Sequence, residues 1–149
     1  MSEEPGFIIK FYDKAYEKKT LIELLDSPVD AISGVSGPDA EKLGKAFNIK
    51  TVADLATNEY VRLAQAVTNF TECTGQILDK EFQSKEFIEL AEKPVNAIKG
   101  ISEGDAEFLK QAFNIKTIKD LARNKYVNIA QTTISLAALL ELLIEIIES

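Results

Sequence analysis

The chain has no histidine. That removes the side chain best suited to proton transfer near neutral pH, and with it the commonest metal ligand. There is one cysteine, Cys73, so no internal disulfide and no thiolate metal cluster can form. A lone free cysteine behaves as a small hydrophobe, and Cys73 is expected to be partly buried in a protein of a reducing compartment. Four prolines and seven glycines in 149 residues leave long stretches free for helix. No segment alternates apolar and polar residues between turn signals, as paired strands would. The opening Met1-Ser2-Glu3-Glu4-Pro5 is acidic and polar, whereas a secretory leader starts basic and then turns apolar. A cytoplasmic location is expected. Basic charge is also scarce: 17 Lys and Arg stand against 24 Asp and Glu, a formal net charge of −7. Cationic contacts to phosphate supply most non-specific affinity for nucleic acid, so this balance disfavours such a partner. Nothing in the composition calls for a cofactor or a metal ion.

What the sequence does contain is a long internal correspondence. Shifted by 66 residues, positions 21–70 lie over positions 87–136 with 27 of 50 identical and no gap. Unrelated segments would share only a few, so the chain reads as a tandem duplication whose copies fold alike. The residues kept in both copies are mainly apolar or turn-forming, among them Val29, Ala31, Ile32, Leu43, Phe47, Leu55, Tyr60 and Ala64. They read as core and punctuation.

Each copy predicts the same run of helices. Residues 21–25 and 87–91 form a short apolar helix. Pro28 and Pro94 suit the first turn of the next, a single tight turn over 28–32 and 94–98. Gly34 and Gly100 then permit a sharp hairpin. Asp39 and Asp105 sit near the start of a helix, where a carboxylate meets the positive end of the dipole. That helix reaches Phe47 and Phe113 and stops at Asn48 and Asn114, residues that tolerate the left-handed conformation. Thr51 and Thr117 are N-caps for a following short helix. Asn58 and Asn124 interrupt it, and a long helix starts at Tyr60-Val61 and Tyr126-Val127. The linker over 71–86 is rich in helix formers and is expected to remain largely helical, a rigid junction between the copies.

The segments from Ala31 to Leu43 and from Ala97 to Leu109 resemble the helix-hairpin-helix family. They share its hydrophobic residue followed by Gly-hydrophobic, its short turn, and its Ala and Leu in the second helix. The resemblance covers both copies, about two thirds of the 149 residues. In DNA-binding members it implies that hairpin N–H groups hold a phosphate. The matching positions are Gly34, Val35 and Ser36, and Gly100, Ile101 and Ser102. The family's second glycine is Ser36 in one copy and Ser102 in the other, and Asp39, Glu41, Glu103, Asp105 and Glu107 set carboxylates nearby. The first copy holds four basic against seven acidic residues, net −3, and the second seven against six, net +1. If one half meets an acidic partner, it is the second.

Two helices flank the copies. Residues 7–19 carry Phe7, Ile8, Phe11, Tyr12 and Ala15 at helical spacing and are expected to form an amphipathic helix docked on the first copy. Residues 129–147 are almost wholly apolar, with Glu141, Glu145 and Glu148 in one narrow stripe. A helix apolar around most of its circumference must be covered on most sides. Glutamates interrupt it and no basic flank accompanies it, so it does not read as a membrane span.

The expected architecture is therefore all-α, in three parts: an N-terminal helix over 1–20, a first helix-hairpin-helix-like unit over 21–82, and a second over 83–149 that ends in the long apolar helix. The expected function is a non-catalytic protein-interaction or scaffold module, a homo-oligomer through Leu139, Leu140, Leu142, Leu143, Ile146 and Ile147. The alternative is sequence-independent nucleic-acid binding through the hairpins. An enzyme built on the carboxylate pairs Asp39/Glu41 or Asp105/Glu107 is disfavoured, because nothing places a nucleophile or cofactor beside them.

Overall fold

A computed structural model of the chain describes residues 6–149. The first five residues of the expected N-terminal segment lie outside the described residues. The described chain is helical with no strand; only isolated bridges pair extended residues.

The expected helix over 7–19 does not form as one piece. A single turn, α1 (Gly6–Ile9), is followed by extended backbone and a 3-10 turn over Lys14–Tyr16. Tertiary hydrogen bonds override the local helical pattern. The N–H of Asp13 donates to Ala31 O at 2.9 Å and that of Ser33 to Phe11 O at 2.8 Å, so Tyr12 pairs with Ile32. Tyr12 is buried, and its hydroxyl lies 2.7 Å from Thr133 Oγ1 on the last helix. The Thr133 hydroxyl already donates to Ile129 O, so Tyr12 is the donor. Burial raises the Tyr12 pKa above its usual value, and the Thr133 bond only partly offsets this.

From Thr20 onward the chain follows the expected order. α2 (Leu21–Leu25) opens with a capping box between Thr20 and Glu23. A 3-10 turn over Val29–Ala31 leads to α3 (Gly37–Phe47), α4 (Val52–Thr57) and α5 (Glu59–Ile77). After a 3-10 turn at Lys80–Phe82 come α6 (Lys85–Ile88), α7 (Glu103–Phe113), α8 (Ile118–Ala122) and α9 (Lys125–Glu148). α3 and α7 both end on an asparagine in the left-handed region, Asn48 at φ 57° and Asn114 at φ 56°. Thr51 and Thr117 cap α4 and α8 in reciprocal boxes with Asp54 and Asp120. Asn58 and Asn124 each accept from two backbone N–H groups at the start of the long helices. Such caps are worth about 1 kcal/mol each.

Two local expectations need correction, and a third holds in pieces. The short helix expected over 87–91 starts earlier, as α6, and breaks at Glu89 before a 3-10 turn over Leu90–Glu92. The reason lies in the cap. Where the first half has Thr20, the second has Glu86, which cannot cap, and Ser84 serves instead by accepting from Phe87 N. The linker is helical over most of its length, as expected, but in separate pieces: α5 runs to Ile77, and the 3-10 turn over Lys80–Phe82 and the start of α6 follow. Cys73 is exposed, because α5 turns Thr68, Thr71 and Thr74 inward and Cys73 falls on the opposite side.

The two halves share one core. Buried residues from residue 8 to residue 137 belong to a single hydrophobic cluster. α3 lies against α7 in the most extensive helix contact of the fold. The next most extensive contacts cross over: α4 packs on α9, and α5 on α8. Each long helix thus covers the short helix of the opposite half.

Candidate functional site

Two places carry the residues singled out above: the paired hairpins and the free end of α9. The hairpins are built identically. Gly34 and Gly100 sit at φ +95° and +101°, a region in which a Cβ is strained. The next residues, Val35 and Ile101, turn their side chains into the core, and their N–H groups donate to Ile32 O and Ile98 O at 3.1 Å. Ser36 and Ser102 are the N-caps of α3 and α7. Ser36 Oγ accepts from Asp39 N at 3.1 Å while Ser36 N donates to the Asp39 carboxylate at 3.3 Å. Ser102 and Asp105 repeat this at 3.0 and 3.2 Å. The N–H that would reach for a phosphate is therefore already held by a carboxylate of the same turn, and an anion would meet that charge at close range.

Above each hairpin glycine stands a tyrosine from the opposite half. A Cβ built on Gly34 would lie 2.7 Å from the Tyr126 hydroxyl, and one on Gly100 2.6 Å from that of Tyr60. Tyr126 also donates to Gly34 O at 3.4 Å. Each ring is braced by a phenylalanine of its own half, Phe47 against Tyr60 and Phe113 against Tyr126, with centroids 4.8 and 4.7 Å apart. The glycines thus serve the turn and the close approach of a ring. The sequence marks Tyr60 and Tyr126 only as shared core residues, and their reach across the fold carries no local signal.

The carboxylate pairs do no visible chemistry together. Asp39 and Asp105 are spent in caps, and Glu41 pairs with Lys45 at 3.2 Å along α3. Among the described residues no group of three or more Cys, Asp or Glu is placed to hold a metal ion.

α9 divides in two. Its first half is anchored by Val127, Ala130, Thr133 and Ala137, all buried. Beyond Ala137 only Leu140 still packs on the core, in part. Leu139, Leu142, Leu143 and Ile146 are about half exposed, and Ile147 is 80% exposed. The expected interface residues therefore stand together on one projecting end, with Glu141, Glu145 and Glu148 among them. By length and composition the helix could cross a membrane, with a window of mean hydropathy 1.6. Its free apolar part, residues 139–147, spans only about 14 Å at the helical rise, against about 30 Å of bilayer hydrocarbon.

Comparison with family models, with curated proteins and with solved structures finds no match to this chain.

Proposed function

We propose that the chain is a non-catalytic assembly module that associates with a second copy of itself through the free end of α9. The observation that carries this reading is the run Leu139, Leu142, Leu143, Ile146 and Ile147, exposed on a helix whose base is locked into the core. Apolar surface gathered on one projecting element marks an interface. Two such ends laid side by side would cover each other's leucines and isoleucines and leave the glutamate stripe in water. The acidic stripe, with no basic residue in the last turns, also suits a protein surface better than an anionic lipid one.

We read the body that carries this end as a tandem duplication of a helix-hairpin-helix-like unit. Support comes from the 27 shared positions, the identical caps of α3 and α7 and the crossed packing of α4 on α9 and α5 on α8. In this reading the hairpins are structural corners, since their N–H groups are engaged by Asp39 and Asp105. Nucleic-acid binding at Gly34, Val35, Ser36, Gly100, Ile101 and Ser102 finds no comparable support.

Sedimentation equilibrium tests the proposal. The full chain should be a dimer, and Leu142→Glu with Leu143→Glu should give a monomer of unchanged helicity. A wild-type chain that stays monomeric at high concentration would overturn it.

A further inference from the structure

The two halves differ in one respect that bears on binding. In the first half the extended residues 11–13 lie along the hairpin, joined by Asp13 N to Ala31 O and Ser33 N to Phe11 O. The corresponding atoms of the second half, Ala97 O and Lys99 N, have no hydrogen-bond partner among the described residues. The chain's own counterpart, Ile77-Leu78-Asp79, does not make these bonds: α5 runs to Ile77, Leu78 N bonds back to Thr74 O at 3.1 Å, and Leu78 lines a neighbouring recess with Phe70 and Phe87.

The second half also holds an apolar recess of about 320 Å³ lined by Ala66, Val67, Phe70, Phe87 and Leu90. Shifted by 66 residues, Val67, Phe87 and Leu90 correspond to Thr133, Leu21 and Leu24. In the first half those three are fully buried, and Thr133 receives the Tyr12 hydroxyl. In the second half Val67, Phe87 and Leu90 are only partly covered, and Phe70 is exposed. By position the recess is the counterpart of the place where the Tyr12 hydroxyl meets Thr133 in the first half.

We infer that this groove binds a short segment of a partner protein that repeats the fit of residues 8–13, with two changes set by the groove. Val67 stands where Thr133 accepts the tyrosine hydroxyl, so the buried anchor should be phenylalanine or leucine; a buried hydroxyl without a partner is costly. Lys99 stands where Ser33 donates to the Asp13 carboxylate at 3.1 Å, so the residue after the anchor should be acidic. The occupant is an extended peptide with an apolar anchor followed by Asp or Glu, held by two backbone hydrogen bonds at Ala97 and Lys99 in the manner of an added strand. Lys99 is exposed and free to meet such a carboxylate. The site uses α5 and α6, not the free end of α9, and does not depend on self-association.

The probe is a labelled synthetic peptide of residues 6–14 carrying Tyr12→Phe, titrated by fluorescence anisotropy against the full chain. Saturable binding below about 1 mM is expected. Lys99→Glu should weaken it severalfold, and Val67→Thr should make the unmodified Tyr12 peptide the better ligand. Repeating the titration on the chain with Leu142→Glu and Leu143→Glu separates this site from the α9 interface, and affinity should not change. Absence of binding, indifference to Lys99→Glu, or loss of binding in the α9 variant would each overturn the assignment.

Discussion

Gln65 and Gln131 exchange side-chain amide hydrogen bonds at 2.8 and 2.9 Å across the centre of the fold. Each also donates to a backbone carbonyl at the end of the opposite short helix, Gln65 to Ala122 O and Gln131 to Ala56 O. The two residues stand 66 apart and occupy the same place in their halves. Their pairing places a reciprocal polar pair between the halves, and such networks specify one arrangement when fully satisfied.

Removing one partner should therefore cost more than the bond is worth. Gln65→Ala leaves the Gln131 amide short of partners, with an expected loss of about 1–3 kcal/mol. The double variant with Gln131→Ala should lose less than the sum of the two single changes. Urea denaturation of the four proteins measures this coupling.

Gly34→Ala should destabilise the fold by two separable routes. The left-handed backbone alone costs about 1–2 kcal/mol for a residue with a Cβ, and the new carbon would press on the Tyr126 hydroxyl. In a Tyr126→Phe background the same change should cost less, because the nearest remaining ring atoms lie at 3.3 and 3.4 Å. Thermal unfolding of the single and double variants distinguishes the two contributions. Equal cost in both backgrounds would show that the ring imposes nothing on the glycine.

Thr68 offers a change in the opposite direction. Its hydroxyl oxygen is buried with no hydrogen-bond partner among the described residues. Thr68→Val keeps the shape and removes the unpaired group, so a gain of about 1 kcal/mol is expected by chemical denaturation. The residue at the equivalent position of the second half is already an isoleucine, Ile134.

Acid should loosen the cap of α4. Burial pushes the Asp54 pKa up, but backbone N–H groups of Lys50 and Thr51, donating at 3.0 and 3.1 Å, together with the Thr51 side chain outweigh it and hold the carboxyl below its usual value. A depressed native pKa means the stabilisation is complete above the unfolded value of about 4 and fades as pH falls through the lower native value. Asp54→Asn should cost about 1 kcal/mol at neutral pH. The gap between it and the wild type should close as the pH drops below about 4, followed by thermal unfolding across a pH series.

Features that depend on neighbours in sequence were legible, and features that depend on neighbours in space were not. Asn48 and Asn114 stop their helices, and Thr51 and Thr117 start theirs, because a cap acts within one turn of backbone. The Ser-x-x-Asp signature at Ser36 and Ser102 is likewise local and encodes a cap, although in the hairpin pattern the same two serines stand in place of a second glycine. Residues 7–19 have helical spacing, yet Tyr12 goes to Thr133 and the backbone to Ala31, both distant in sequence. The reach of Tyr60 over Gly100 and the Gln65–Gln131 pair arise from crossed packing, which no local pattern encodes.

That crossed packing also sets a timetable for synthesis. Gln131 on α9 bonds to Ala56 at the end of α4 across 75 residues of chain. A growing polypeptide exposes the apolar side of α4, with Val52 and Leu55, well before α9 has been made. The first half therefore waits on the ribosome with the α9-facing side of α4 uncovered, at about 5–20 residues per second. The helix that closes the first half is made only after both α4 and α8, so a chain stopped early at α8 should emerge without a completed core and fall to chaperones or proteolysis.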